Sequence, residues 1–455
     1  MNRILFLATL FLIPALTNAQ PQISDHIHDH ARELIGASMG SSEGWHRLNH
    51  LVDYFGPRFS GSETLENSID WIVEVMQEDG FDKVWTQPVQ VPHWVRGEES
   101  ATLNLPIQQD LPMLGLGGSV GTPEEGITAE VMVVNSFEEL EERSDEAVGK
   151  IVLFNVSFTT YGETVQYRIR GASAAAKHGA VASIIASVAS YSIQTPHTGV
   201  MRYEEGVTKI PHAAITVEDA LLIQRFADRG ETIEVSLFME AETLPEATSR
   251  NVIAEIKGSE FPEEIIVMGG HIDSWDVGQG AMDDGGGCVA AWEALRLIAK
   301  LGLKPKRTIR VVLWTNEENG LGGANEYKRW VEEEEQSLEN HILGMESDAG
   351  VFDPIGFGFT GSDDAFEILK EIGTMLYPID SGMVSRGGGG ADIGPLMRAG
   401  MPGMGLRVDG EKYFWFHHTA ADTIDKLNEQ DFNECVATMA VFAYAVAEME
   451  NRLPR

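Results

Sequence analysis

The segment from Gly269 to Gly287 reads Gly-Gly-His271-Ile-Asp273-Ser-Trp-Asp, then Gly280-Ala-Met-Asp283-Asp-Gly-Gly-Gly. It follows an apolar run and precedes a helical one, and in open α/β sheets sites form at the carboxyl ends of strands. His271 and Asp283 are thereby placed to converge. A second apolar run ends at Trp314-Thr315 and delivers Asn316-Glu317-Glu318-Asn319. Adjacent acids at a strand end point in different directions, so one can hold a metal while its neighbour stays free as a base. A third run ends in Met345-Glu346-Ser347-Asp348, and near the C-terminus Phe416-His417-His418-Thr419 is followed by Asp422. Hard carboxylates mixed with imidazole suit zinc or a similar divalent ion. His271, Asp283, Glu318, Asp348 and His418 form a sufficient set: with one carboxylate bridging, each of two metals receives three protein ligands, as a two-metal hydrolase needs. The HExxH pattern of single-zinc peptidases is absent.

Strands and helices must present these residues. Beyond residue 246 they alternate: Val252–Ile256, Glu264–Gly269, Ile309–Trp314, His341–Met345 and Met404–Val408 read as strands, with helices such as Gly286–Leu301 between them. That alternation predicts an α/β fold, a central sheet flanked by helices. Residues 20–110 begin the same domain with two helices, around Trp45–Phe55 and through Ile69, Ile72 and Met76. Residues 111–245 read as a separate inserted unit, with a buried strand at Ile151–Phe154, an Ala-rich helix and an apolar strand at 179–186, and no cluster of ligands or nucleophile. The histidines at 26, 28 and 30 read as a solvated or removable segment, and a pro-segment over residues 20–40 is an open alternative. The run Gly387–Gly390 reads as a flexible or close-approach loop beside the site.

Residues 1–19 carry a basic start, an apolar run from Ile4 to Leu16 and small residues at the expected cut, which predicts a secretory signal and a secreted or periplasmic protein with no membrane anchor after its removal. The apolar run is shorter than the ~20 residues that a spanning helix needs. A formal net charge of −37 argues against nucleic acid and anionic lipid as partners. Cys288 and Cys435 are too few for a disulfide scaffold and read as buried apolar residues, with one bridge between them left open.

The metal-ligand segments, with Val91–Ser100, Gly121-Thr-Pro and Ser274–Gly280, resemble the di-zinc aminopeptidase and glutamate carboxypeptidase family from about Leu48 to the C-terminus. The resemblance implies a mixed sheet with an inserted protease-associated-type domain, two zinc ions per chain, and a homodimer. It implies that Asp283 bridges, that His271 and Asp348 serve one zinc and Glu318 and His418 the other, and that Glu317 is the general base for an activated water between them. The choice of His418 over His417 as ligand rests on the family's register to Asp422. His417 stands where relatives often carry a Tyr, which implies a part in polarising the oxyanion. Asp273 is expected to orient the His271 ring, and Asp422 to do the same near His418. Arg386, before the glycine run, is a candidate for the substrate carboxylate. The implied activity is exopeptidase action on dipeptides and short peptides, with an aminopeptidase acting on longer peptides, or a receptor-like ectodomain without catalysis, as the alternatives.

Overall fold

The computed structural model describes residues 23–455, so the leader expected over residues 1–19 lies outside the described residues. The chain builds two eight-stranded sheets. The first runs, in spatial order, through Lys83–Val95, Glu242–Ile256, Arg307–Trp314, Phe261–His271, His341–Glu346, Gly403–Val408, Pro354–Thr360 and Met383–Arg386. Its four central strands, from Arg307–Trp314 to Gly403–Val408, are parallel neighbours, while the pairs outside them include antiparallel ones. This is the expected mixed sheet.

Every residue of Arg307–Trp314 is buried, as a strand covered on both faces must be. Helices Gly286–Lys300 and Glu429–Glu448 supply much of that cover: Trp292, Leu295, Phe432, Val436 and Phe442 pack with Ile266, Met268 and Val311 in one core. Helix Asp25–Met39 belongs to the same core through Ile27, Ala31 and Leu34. The histidine run is therefore the first turns of a packed helix, not a free tail. His30 Nδ1 lies 2.7 Å from the Tyr444 hydroxyl, and His26 Nε2 lies 2.9 Å from Glu448. Period-3.6 spacing of Ile27, Ala31 and Leu34 carried that information, and the alternating histidines drew attention from it.

The second sheet begins at Glu99 and ends at Met239, ahead of the expected boundary at residue 111 because the short strands Glu99–Leu105 and Gln109–Leu111 already belong to it. Its centre, Ile151–Phe154, Ala182–Ala186 and His212–Ile215, is parallel and fully buried. The two sheets are joined by a single antiparallel ribbon, Lys83–Val95 against Glu242–Ile256, paired from Lys83↔Glu255 to Val95↔Glu242. Where the ribbon enters the second unit, Arg96 forms a bidentate pair with Asp276 of the first, at 2.8 and 2.6 Å. Gly117 meets the Trp275 ring so closely that a Cβ there would fall 2.1 Å from a ring carbon. Cys288 and Cys435 are both buried and unbridged. Among the described residues, no helix is long and apolar enough to cross a membrane.

Candidate metal centre

The parallel strands deliver their cargo at one edge. His271 closes strand Phe261–His271, Glu317 and Glu318 lie in the turn after Arg307–Trp314, and Asp348 follows His341–Glu346. Asp283 sits in the short helical turn Ala281–Gly285, and His417 and His418 follow helix Tyr413–Phe416. Asp283 stands at the middle. Its Oδ1 is 3.2 Å from His271 Nε2, which is also 3.3 Å from Asp348 Oδ1. Its Oδ2 is 3.3 Å from His418 Nε2, which is 3.0 Å from Glu318 Oε2. One carboxylate thus turns an oxygen to each of two imidazole–carboxylate pairs.

These residues fit a pair of cations. Asp283 Oδ2 and Glu318 Oε1 are buried without a hydrogen-bond partner, and buried polar atoms are rarely left so. Two triads, His271–Asp283–Asp348 and Asp283–His417–His418, have ligand atoms close enough to share an ion. Burial in company with like charges has its usual effect: it pushes Glu318 up to about 7, with Asp283 adding to the rise. Burial raises Glu317 well above the carboxylate range too, and Asp348, Glu318 and Asp273 reinforce this. Burial alone would lower His418, but Glu318 and Asp283 raise it to about 9. The His417 ring stacks on His418 at 3.5 Å between centroids and is held well below its usual value by burial and that neighbour. Its Nε2 is 3.6 Å from Asp283 Oδ2.

Two expected supports act through other atoms than anticipated. The His271 ring is oriented by the backbone carbonyl of Asp273, 2.9 Å from Nδ1, whereas the Asp273 carboxylate is 3.8 Å away. That carboxylate instead accepts the amides of Glu317 and Glu318, at 3.0 and 3.3 Å, and the Ser60 hydroxyl. Asp422 does not reach the His418 ring either. Its carboxylate accepts the successive amides of Ala281, Met282 and Asp283, at 3.1, 2.7 and 3.2 Å, so it holds the turn that carries the central acid. Arg386 is outside the centre altogether. It ends the edge strand Met383–Arg386, stacks 3.9 Å over Phe366, pairs with Asp363, and leaves 46% of its side chain exposed. The glycine run beside it is a close-approach loop: a Cβ on Gly390 would fall 2.0 Å from the Glu346 carboxyl carbon.

A cavity of about 420 Å³ opens over the cluster. Its opposite wall comes from the second sheet's unit, which sequence reasoning left without functional residues: Tyr161, Arg168, Val200 and Arg202 line it. Arg168 lies on helix Tyr161–Lys177, buried on the same face as Thr164, Val165, Ala172 and Ala175. A cation on a helical stripe otherwise made of small and apolar or hydroxyl residues was the available signal. Its Nη2 donates to the Tyr161 hydroxyl at 2.9 Å, and its Nε is buried without a partner.

The family model for peptidase family M28 matches residues 251–443. Over 91% of this chain and 87% of the relative, the sequence is 50% identical to carboxypeptidase Q of Mus musculus, and over 94% and 90% it is 49% identical to carboxypeptidase Q of Homo sapiens. The solved structure of a peptidase M28 precursor from Shewanella amazonensis superposes with a TM-score of 0.90 at 38% identity, covering 95% of this chain and 99% of that one. A zinc aminopeptidase from Bacillus subtilis shares the fold, with a TM-score of 0.68 at 20% identity over 90% of this chain and 95% of its own.

Proposed function

The chain belongs to peptidase family M28, and from that premise we propose that this zinc metallopeptidase is an exported exopeptidase that releases free amino acids from dipeptides and short peptides with two zinc ions per chain. The observation that carries the reading is Asp283, whose two oxygens face His271 and His418 separately. In this reading His271 and Asp348 hold one ion, Glu318 and His418 the other, and Asp283 is shared. Two zinc ions there would supply Lewis acidity, polarising the scissile carbonyl and bringing the pKa of a water towards neutrality.

The chain's own groups do the rest. Glu317 takes the proton of the attacking water and passes it to the leaving amine; its burial favours the protonated form, which suits a group that must hold the proton between the two steps. Asp273 keeps Glu317 in place by accepting its amide. His417, kept neutral, donates a ring N–H to the oxygen on which charge develops. Arg168 and Arg202 on the facing wall match a substrate carboxylate, and guanidinium is well suited to that partner. A cavity of about 420 Å³, near the low end of the range for small-molecule sites, favours a dipeptide over a long chain.

A dipeptide panel tests this. The purified protein is stripped with a chelator, restored with zinc, and given each dipeptide free, N-acetylated or C-amidated. Zinc-dependent release of both amino acids from the free dipeptides, weakened by C-amidation, is the expected result. No hydrolysis of any peptide by a protein carrying two zinc ions would sink the exopeptidase reading. Loss on N-acetylation with indifference to C-amidation would convert it to an aminopeptidase.

A further inference from the structure

The turn that carries the last imidazoles is an unfavourable one. His418 has φ +60°, the left-handed region that a residue with a Cβ avoids unless its surroundings hold it there. The short helix Tyr413–Phe416 secures the flanks of the turn locally: the His417 amide donates to the Tyr413 carbonyl and the Thr419 amide to that of Phe416. The carbonyls of the two histidines themselves are taken by the inserted unit. His197 Nδ1 lies 2.7 Å from the His417 carbonyl oxygen, and the Thr198 amide donates to the His418 carbonyl at 3.0 Å. A carbonyl only accepts, so His197 must carry its proton on Nδ1. The ring is 1% exposed, and its own amide donates to the Ser187 hydroxyl at 2.9 Å. In return the Thr198 carbonyl stands 3.3 Å from His418 Nδ1, on the side of the ring away from Asp283 and Glu318.

We propose that His197, carried by the inserted unit, is a positioning residue of the metal centre: its Nδ1–H fixes the His417–His418 turn so that His418 Nε2 faces Asp283 and Glu318. The inserted unit then completes one of the two metal positions as well as roofing the cleft. The other position, built on His271 and Asp348, depends on the peptidase sheet alone. The inference rests on the two-zinc reading above and adds that the two positions respond unequally to a change in the insertion.

Two variants of the full-length protein test it. In His197→Asn the side-chain amide N–H replaces Nδ1–H at the same distance along the chain, while in His197→Gln the donor is one atom further out. Zinc stoichiometry and the two dissociation constants are measured by chelator competition, with thermal unfolding as a control for folding. The expected result is one zinc held about ten-fold more weakly in His197→Gln, the other unchanged, and His197→Asn within about threefold of wild type at both. Wild-type affinities at both positions in His197→Gln would overturn the proposal. So would equal weakening of both positions, or a His197→Asn variant as weak as His197→Gln. A wild-type protein that binds no zinc pair fails the metal reading itself, and the wild-type titration reveals that before any variant is compared.

Discussion

The two walls of the cleft differ in chemistry and in how they are made. The peptidase wall is acidic: Glu317, Glu318 and Asp348 sit within a few residues of strand ends, Asp283 lies in the turn before helix Gly286–Lys300, and burial raises Glu317 and Glu318. The wall from the insertion is basic or neutral, with Arg168 and Arg202 on its surface and the uncharged imidazole of His197 behind it. The first wall concentrates charge for chemistry, and the second supplies the counter-charge and the posture. In the proposed reading, a zinc-loaded acidic cluster facing guanidinium groups would give a peptide two different ends to be recognised by.

That division predicts separable defects. The largest belongs to the peptidase wall: Glu317→Gln should retain both zinc ions and KM yet lose about 10²–10⁴-fold in kcat, the range for a general base. A correctly folded, zinc-loaded variant with wild-type kcat would remove Glu317 from that role. The insertion wall should fail differently. Arg168→Gln should raise KM for free dipeptides by about ten-fold or more, the worth of a hydrogen bond to a charged group, with the C-amidated analogue little affected. An equal loss on both substrates would mean that Arg168 supports the fold and not the carboxylate.

Acid should separate the walls without any substitution. In the zinc-free protein burial holds His212 down to about 4 and His197 to about 3, below the ordinary 6.5. Groups with depressed folded values contribute stability that is complete above pH 6.5 and is lost as pH falls towards those values, about 3 kcal/mol for His212. Asp422 runs the other way. Burial beside Asp283 pushes it up to about 7, so its penalty on folding is present above that value and is relieved as pH falls to the ordinary carboxylate range. His341, on the peptidase side, is lowered to about 4 and offsets part of this difference. Between pH 7 and 5, amide protection, corrected for the intrinsic exchange rate at each pH, should fall more in Ala182–Ala186 and His212–Ile215 than in Arg307–Trp314. A uniform loss of protection would show that the regions do not differ in this way.

The same contrast explains what could be read from the amino-acid order. The peptidase sheet and the segments carrying His271, Glu318 and Asp348 were legible because each closes or follows an apolar run, and the end of a run is a position in space; Asp283 precedes a helix, and the choice of His418 over His417 rested on the family resemblance. Which atom of Asp273 or Asp422 does the work was not legible, since carbonyl and carboxylate share one letter of sequence. Arg386 was misplaced because its neighbourhood of glycines was visible while its edge strand was not. His197 lies in an aperiodic stretch and meets His417 across 220 positions, so only tertiary structure reveals the pair. The inserted unit's outline was approximate at its start because Glu99–Leu105 and Gln109–Leu111 are short strands with little periodicity to count.

The ribbon formed by Lys83–Val95 and Glu242–Ile256 has a mechanical meaning. Two separate tethers would let the inserted unit swivel. A hydrogen-bonded pair of strands, clamped at its far end by Arg96 and Asp276, resists shear and twist and yields mainly by bending out of its plane. The gap between the walls then changes width mainly through that one bending motion.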